Sequence, residues 1–396
     1  MLPPPAQLQP VVNDITEWLA MLASGTNEKP SRTWSPTEWR YARVVAHIQG
    51  IAPLLHVRGA GTYGDDVWRA FLTQQYERNT QRNRRIKALF DDIEQAATQR
   101  SVPLMPLKGV SLITWLYDDI GLRPMSDIDL FTPAEHEDGV REVIEAIGFR
   151  MVERIERHRV FVLPPNTVVD LHGEHPDNPI KLELHTRLFD NVPREEIDLT
   201  PMFTRCCQCT PAERPTPADV LVHALLHATA HMMKRSLRFV TVHDLALLAR
   251  RLTELEWNDV RDKLLRFGGA WWAYPPLRLM ARYFSDVLPT TFQDWLSQST
   301  TASLRRSVPR MTIADVSYCN LRPQYLDQLM LWSRTPRESL MYVVERLSGT
   351  GRMGWQTSHK WTTATHVFAP TKSAYRRLAR WFSPRAYRAG VEQLFG

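Results

Sequence analysis

Arg123-Pro124-Met125-Ser126-Asp127-Ile128-Asp129-Leu130 is the stretch on which the reading of this chain turns. Asp127 and Asp129 stand two apart in a strand-like run, so both carboxylates leave one face while Ile128 and Leu130 leave the other for a core. Carboxylates that close repel each other, and apolar surroundings make the pair costly unless cations neutralise it. Hard oxygen donors in this arrangement suit Mg²⁺ bound to nucleotide phosphates.

Upstream, Val102-Pro103-Leu104-Met105-Pro106-Leu107 is an apolar, strand-like run that ends in Lys108-Gly109 and, two residues on, the hydroxyl of Ser111. Glycine lets a backbone approach phosphate oxygens, a following helix offers unpaired N–H groups, and Lys108 adds a point charge. Residues 111–117 read as a short helix, and Gly121-Leu122-Arg123 as the turn into the aspartate strand. A phosphate cradle and metal-binding carboxylates are therefore expected on consecutive elements.

The order L-K-G, a tyrosine-containing helix and G-x-R-x-x-x-D-x-D resembles the uncharacterised nucleotidyltransferases of the DNA polymerase β-like superfamily, members of which occur beside peptide-natural-product and surface-polysaccharide genes. The resemblance runs from roughly Trp39 to Phe368-Ala369-Pro370-Thr371. It implies an α+β fold, a small mixed β-sheet core flanked by N-terminal and C-terminal helical lobes. It also implies a third acid on a later strand. Glu183, in Lys181-Leu182-Glu183-Leu184-His185, is preferred, because alternation puts Lys181, Glu183 and His185 on one face and leucines on the other; the run also resembles the family's acidic-x-His segment. Asp170, in Val168-Val169-Asp170-Leu171-His172, is the alternative third acid.

What the resemblance implies in chemistry is NMP transfer from an NTP, with ATP as the first candidate, to a hydroxyl or phosphate of an unidentified small molecule, peptide or glycan acceptor, with release of pyrophosphate. Asp127, Asp129 and Glu183 would hold Mg²⁺, two ions being expected and Mn²⁺ being the substitute. Lys108, Gly109, Ser111, Arg123 and Ser126 would bind the nucleotide. Positioning and electrostatics dominate such phosphoryl chemistry. His185 and, further on, His227, His231 and Asp244 are expected to line the cleft. The histidines come from Asp219-Val220-Leu221-Val222-His223-Ala224-Leu225-Leu226-His227-Ala228-Thr229-Ala230-His231, where they recur every four residues on one helical face. That run and Val242-His243-Asp244-Leu245-Ala246 resemble the family's H-x-x-x-H and Asp-aliphatic helices.

The chain of 396 residues is long enough for a large core and more than one lobe. Met1-Leu2-Pro3-Pro4-Pro5 does not open a signal helix, and no apolar run is long enough for a bilayer, so a cytoplasmic protein is expected. Cys206, Cys207 and Cys209 crowd together while Cys319 stands alone, which is no disulfide framework and lacks a second C-x-x-C pair for zinc. The net charge of +6 is concentrated at the end, where residues 352–396 hold eight basic side chains against one acid. Arg376, Arg377, Arg380, Arg385 and Arg388 lie there among aromatics, a composition that suits an anionic surface, membrane or RNA.

The expected organisation is an N-terminal helical region over 1–100, a catalytic core over 101–200, a C-terminal helical lobe over 201–350 and a basic aromatic tail over 351–396. Ser35-Pro36-Thr37-Glu38 is a capping box that starts a helix through Ile48. A long helix should cover about 66–99, with Trp68, Phe71, Ile86, Leu89, Phe90 and Ile93 as its buried stripe. A helix over 134–146 closed by Gly148, then strands around 149–156 and 159–163, should complete the core. Two alternatives stay open: an RNA- or tRNA-modifying nucleotidyltransferase that uses the basic tail, and a non-catalytic nucleotide-binding protein of the same fold.

Overall fold

The structure is a computed structural model, and it describes residues 5–26, 32–164, 168–169, 175–192, 195–208, 214–318 and 331–341. Asp170, Cys209, Cys319 and the arginines of the tail lie outside the described residues.

Helices α1 (Pro5–Ser24), α2 (Pro36–Ile48), α3 (Ala52–Val57) and α4 (Asp66–Gln99) precede the first strand. The capping box at α2 forms as read: Glu38 N meets Ser35 Oγ at 3.3 Å, and Ser35 N donates to Glu38 Oε2 at 2.8 Å. Then come β1 (Met105–Leu107), α5 (Lys108–Trp115), β2 (Asp127–Phe131), α6 (Glu137–Ala146), β3 (Arg150–Arg154), β4 (His158–Val162) and β5 (Lys181–His185). A separate two-stranded sheet follows, β6 (Phe189–Val192) with β7 (Glu195–Asp198). The remaining described helices are α7 (Thr200–Gln208), α8 (Pro217–Met233), α9 (Phe239–Arg251), α10 (Glu254–Arg266), α11 (Tyr274–Tyr283), α12 (Thr290–Gln298), α13 (Ala302–Ser307) and α14 (Ile313–Ser317).

The five-stranded sheet has the order β1-β2-β5-β4-β3, with β2 and β5 parallel and its other pairings antiparallel. It is thus the small mixed sheet of an α+β fold. One face is apolar: Ile128, Leu130, Phe161, Leu182 and Leu184 join Ile86, Phe90, Ile93 and Ala97 of α4, Val110 and Ile113 of α5, and Val140, Val143 and Ile144 of α6. The alternation read from β2 and β5 is what sends these leucines and isoleucines inward. Arg159 leaves β4 toward this helical side and clamps α6 through paired bonds of 2.6 and 2.8 Å to the Glu137 carboxylate.

The chain divides into two compact units. Gly50–Phe189 with Asp198–His223 holds the five-stranded sheet and α4, so the long helix belongs with the strands it covers. The other unit contains the described residues up to Gln49, Asp190–Ile197 and those from Ala224 onward. Within it, polar bonds tie distant segments: Phe239 N donates to the buried Gln49 Oε1 at 2.7 Å, and the Tyr283 hydroxyl meets the part-buried Glu17 Oε2 at 2.8 Å. No helix among the described residues is long and apolar enough to cross a membrane.

Candidate active site

The face of the sheet opposite the helices carries the acids. In the parallel pairing of β2 with β5, Asp127 aligns with Lys181 and Asp129 with Glu183. Aligned residues of neighbouring strands share a face, so Asp127, Asp129 and Glu183 project together, with His185 two residues beyond. The antiparallel pairing of β4 with β5 then sets His158 opposite His185. Local alternation and sheet register together build one cluster from three strands.

Lys108 enters this cluster from β1. Leu107 is aligned with Asp129, so the next residue leaves the sheet beside that carboxylate. Lys108 adopts a left-handed backbone, φ +46°, which costs a residue with a β-carbon about 1–2 kcal/mol. Its Nζ reaches Asp129 Oδ1 at 2.6 Å. His185 Nε2 lies 3.1 Å from the same oxygen, so Asp129 is held between an ammonium and an imidazole. His185 Nε2 is 3.6 Å from Glu183 Oε2, and His158 Nε2 is 3.8 Å from that oxygen.

The electrostatics follow from three acids and one ammonium in a poorly solvated site. Burial, then the charges of Asp129 and Glu183, push the Asp127 carboxyl up to about 6. Asp129 goes the other way: burial opposes its charge, but Lys108 and His185 outweigh it and hold the carboxyl low. Glu183 is also lowered, because His185 and Lys108 outweigh its burial and the Asp129 charge. Burial lowers His158 to about 4, which keeps it neutral at pH 7. Lys108, despite its burial, is raised by Asp129 and Glu183. Asp127 is therefore the carboxylate whose charge the protein's own cations offset least.

The other residues singled out in the sequence sit as follows. Helix α5 begins at Lys108 instead of residue 111, which puts Gly109 in its first turn and Ser111 buried on the same short helix. A β-carbon on Gly109 would lie 2.6 Å from Arg123 Nη1 and 2.7 Å from Met125 Sδ, so the missing side chain gives the Arg123 guanidinium its place against the α5 backbone. The Ser126 side chain hydrogen-bonds Asp127. Of the three histidines spaced by four on α8, His223 falls in the compact unit of the carboxylates, and burial with the charges of Lys108 and His185 lowers it to about 3. Phe203 of α7 packs edge-on against both Phe131 and His223, at ring separations of 6.0 and 5.4 Å. His227 and His231 belong to the other unit, with ring centroids 4.3 Å apart and His231 Nδ1 2.9 Å from Ser236 Oγ. Asp244 is buried in α9 of that same unit. Cys206 and Cys207 are buried and form no disulfide, and burial with its neighbour raises the Cys207 thiol to about 12.

Arg82 went unnoticed in the sequence. It is fully buried on α4 and donates to five backbone carbonyls. Nε and Nη2 bond Met125 and Ser126 at 3.0 and 2.8 Å, just before β2. Nη1 and Nη2 also bond His175, Asn178 and Pro179 at 3.0, 3.0 and 3.1 Å, just before β5. One planar guanidinium thus ties together the segments that lead into both acid-bearing strands. Asn79 and Asn83 extend the clamp, donating to Gly121 O at 2.6 Å and to Arg123 O at 2.8 Å.

The donor set fits a divalent cation. Asp127, Asp129 and Glu183 offer hard oxygens on one face, and burial together with the charges of Asp129 and Glu183 makes the ionised Asp127 costly without a cation.

No curated protein sequence matches the chain significantly. Among solved structures, the solution structure of the antibiotic-resistance factor ANT(2'')-Ia is similar, with 14% identity over 46% of this chain and 93% of that one, at a TM-score of 0.32. A score that low leaves the assignment to sequence and sheet. The profile of a family described as uncharacterised nucleotidyltransferases matches residues 35–285, which takes in α2, the whole five-stranded sheet, and the chain through α11. With well over half of its length matched, the chain belongs to that nucleotidyltransferase family.

Proposed function

We propose that the protein is a Mg²⁺-dependent nucleotidyltransferase that moves NMP from an NTP, ATP being the first to test, to an acceptor hydroxyl or phosphate. One observation carries this reading: Asp127, Asp129 and Glu183 share one face of the sheet with Lys108 against them. The acceptor oxygen attacks the α-phosphorus, the bond from that phosphorus to the β-phosphate oxygen breaks, and pyrophosphate leaves. Glu183 takes the acceptor proton. Lys108, the Gly109 backbone, Ser111 and Ser126 hold phosphate oxygens, and Arg123 offsets charge that grows on them in the transition state. Lys108 exchanges its bond with Asp129 for one with phosphate when the nucleotide arrives. Bound at Asp127, Asp129 and Glu183, Mg²⁺ would supply Lewis-acid stabilisation of the phosphate charge.

The test uses each α-³²P-labelled NTP with Mg²⁺, with and without lysate divided into small-molecule and RNA fractions, beside Asp127→Asn. Label that moves only with the wild type identifies the activity and the acceptor class. No transfer together with no Mg²⁺-dependent NTP binding sinks the reading and leaves the non-catalytic alternative. The +7 balance of residues 352–396 favours one second reading, an RNA acceptor, for which binding would weaken steeply with salt. Binding indifferent to salt excludes it.

A further inference from the structure

Beside the carboxylate pair lies a second group of donors with a different chemistry. His158, Glu183 and His185 each present a ligand atom, and those atoms lie within 4.8 Å of one another. His185 Nε2 and His158 Nε2 stand 3.6 and 3.8 Å from the same oxygen, Glu183 Oε2. Those separations are too long for hydrogen bonds. They are close to the edge of a coordination tetrahedron, about 3.4 Å when metal–ligand bonds are about 2.0–2.2 Å. The frame is rigid, because His158 and His185 are aligned across the β4–β5 ladder and their rings lie 4.9 Å apart.

Both imidazoles are more than nine-tenths buried, His158 at 7% and His185 at 5% exposure. Buried imidazoles normally pair their nitrogens. His158 Nδ1 has no hydrogen-bond partner among the described residues, and its Nε2 meets Glu183 only at 3.8 Å. A buried imidazole poorly satisfied by its neighbours, and set on the same carboxylate oxygen as a second one, is suited to hold an ion between them.

The geometry points to a first-row transition-metal dication, of the class of Mn²⁺, Co²⁺ and Zn²⁺, held by His158, Glu183 and His185 beside the hard-oxygen position of Asp127 and Asp129. Two imidazoles with one carboxylate favour such ions over Mg²⁺, which takes oxygen donors, and three protein ligands leave positions open for water or substrate. Glu183 has a second carboxylate oxygen for the neighbouring position. Ligation at His185 Nε2 replaces its present bond to Asp129 Oδ1, so the proton on that nitrogen passes to Nδ1 or to solvent. Metal binding at these three residues is independent of nucleotidyl transfer.

The experiment takes the full chain, stripped with chelator, and titrates Co²⁺ while following its visible d–d absorption in wild type, His158→Asn and Asp127→Asn. The wild type should bind with the intense bands of low-coordinate Co²⁺. His158→Asn should bind at least about tenfold more weakly, while Asp127→Asn keeps the bands. Loss of the bands in Asp127→Asn with retention in His158→Asn would overturn the proposal, since the ion would then sit on the aspartates. Should His158→Asn fail to fold by circular dichroism, the wild type alone decides: bound Mn²⁺ must show imidazole ¹⁴N modulation in its electron spin echo, and bound Mn²⁺ without it refutes the site. An absence of Co²⁺ and Mn²⁺ binding refutes it equally, whatever the NTP assay shows.

Discussion

The two faces of the central sheet are built by the same alternation, and they differ in whether the chain satisfies them. On one face Ile128, Leu130, Leu182 and Leu184 meet side chains of α4, α5 and α6, and every group has a partner of its own kind. On the other, three acids face one lysine and the imidazoles of His158 and His185. The apolar face is complete without a ligand. The acidic face is fixed by strand pairing and by carbonyl bonds to Arg82, and above the raised Asp127 range it keeps negative charge that its own cations do not fully offset. Apolar packing is concentrated on one side of β2 and charge on the other, one residue apart.

That contrast predicts separable mutations. Asp127→Asn should lower turnover by at least about 10³-fold, as removal of a principal electrostatic group does, while its melting temperature is unchanged or higher because a strained charge is gone. Labelled transfer and thermal melting read the two effects. Leu184→Ala, on the apolar face of β5 and wholly buried, should cost about 2–5 kcal/mol of stability in urea unfolding, with activity per folded molecule retained. An Asp127→Asn that unfolds, or a Leu184→Ala that is stable yet inactive, would break the comparison.

Arg82→Lys sharpens it. Lysine keeps the charge but brings three donors where five carbonyls are served, so the segments before β2 and β5 lose part of their common anchor. We expect a fall of roughly tenfold in kcat, with KM for Mg²⁺ rising, beyond what the loss of folded protein explains. An unchanged Mg²⁺ dependence would make Arg82 a residue of stability only. Gly109→Ala is a milder probe of the same face. Its new methyl group crowds the Arg123 guanidinium and the buried Met125 side chain, both of which must shift, a cost that the gain of about 0.5–1 kcal/mol for alanine in a helix partly offsets, so activity should drop several-fold with a smaller loss of stability.

The smallest effect is on pH. The folded Asp127 carboxyl, raised from an ordinary 3.8 to about 6, binds more proton than in the unfolded chain between those values. Stability contributed by this group therefore falls as pH rises through that window when no metal is present. Melting in chelator should show a wild-type curve that declines relative to Asp127→Asn between pH 4 and 6, and Mg²⁺ should remove the difference above pH 6. Parallel curves would mean that Asp127 carries no excess charge.

The parts of this arrangement that were legible in the sequence are those set by period. Helix α4 was readable over Ile86, Phe90 and Ile93, and the strand faces over Asp127 to Leu130 and Lys181 to His185, because apolar spacing encodes burial directly. Trp68 and Phe71 at the start of α4 were legible in the same way, but the polar stretch between them and Ile86 was not. Gln75, Asn79, Arg82 and Asn83 look like a solvated face, yet all are buried, because their partners are loop carbonyls that no side-chain pattern announces. His158 was missed for a related reason: its place beside His185, twenty-seven residues on, is a fact of strand register. The pairing of Lys108 with Asp129 depends likewise on the β1–β2 register and on a left-handed turn at a residue that is not glycine.

Calorimetric titration of a non-hydrolysable NTP analogue into wild type and Asp127→Asn, each with Mg²⁺ and with chelator, tests the acidic face most directly. Tight binding should occur only in the wild type with Mg²⁺, because only there are both the carboxylates and their counter-charge present. Equal affinity in all four titrations would contradict the account.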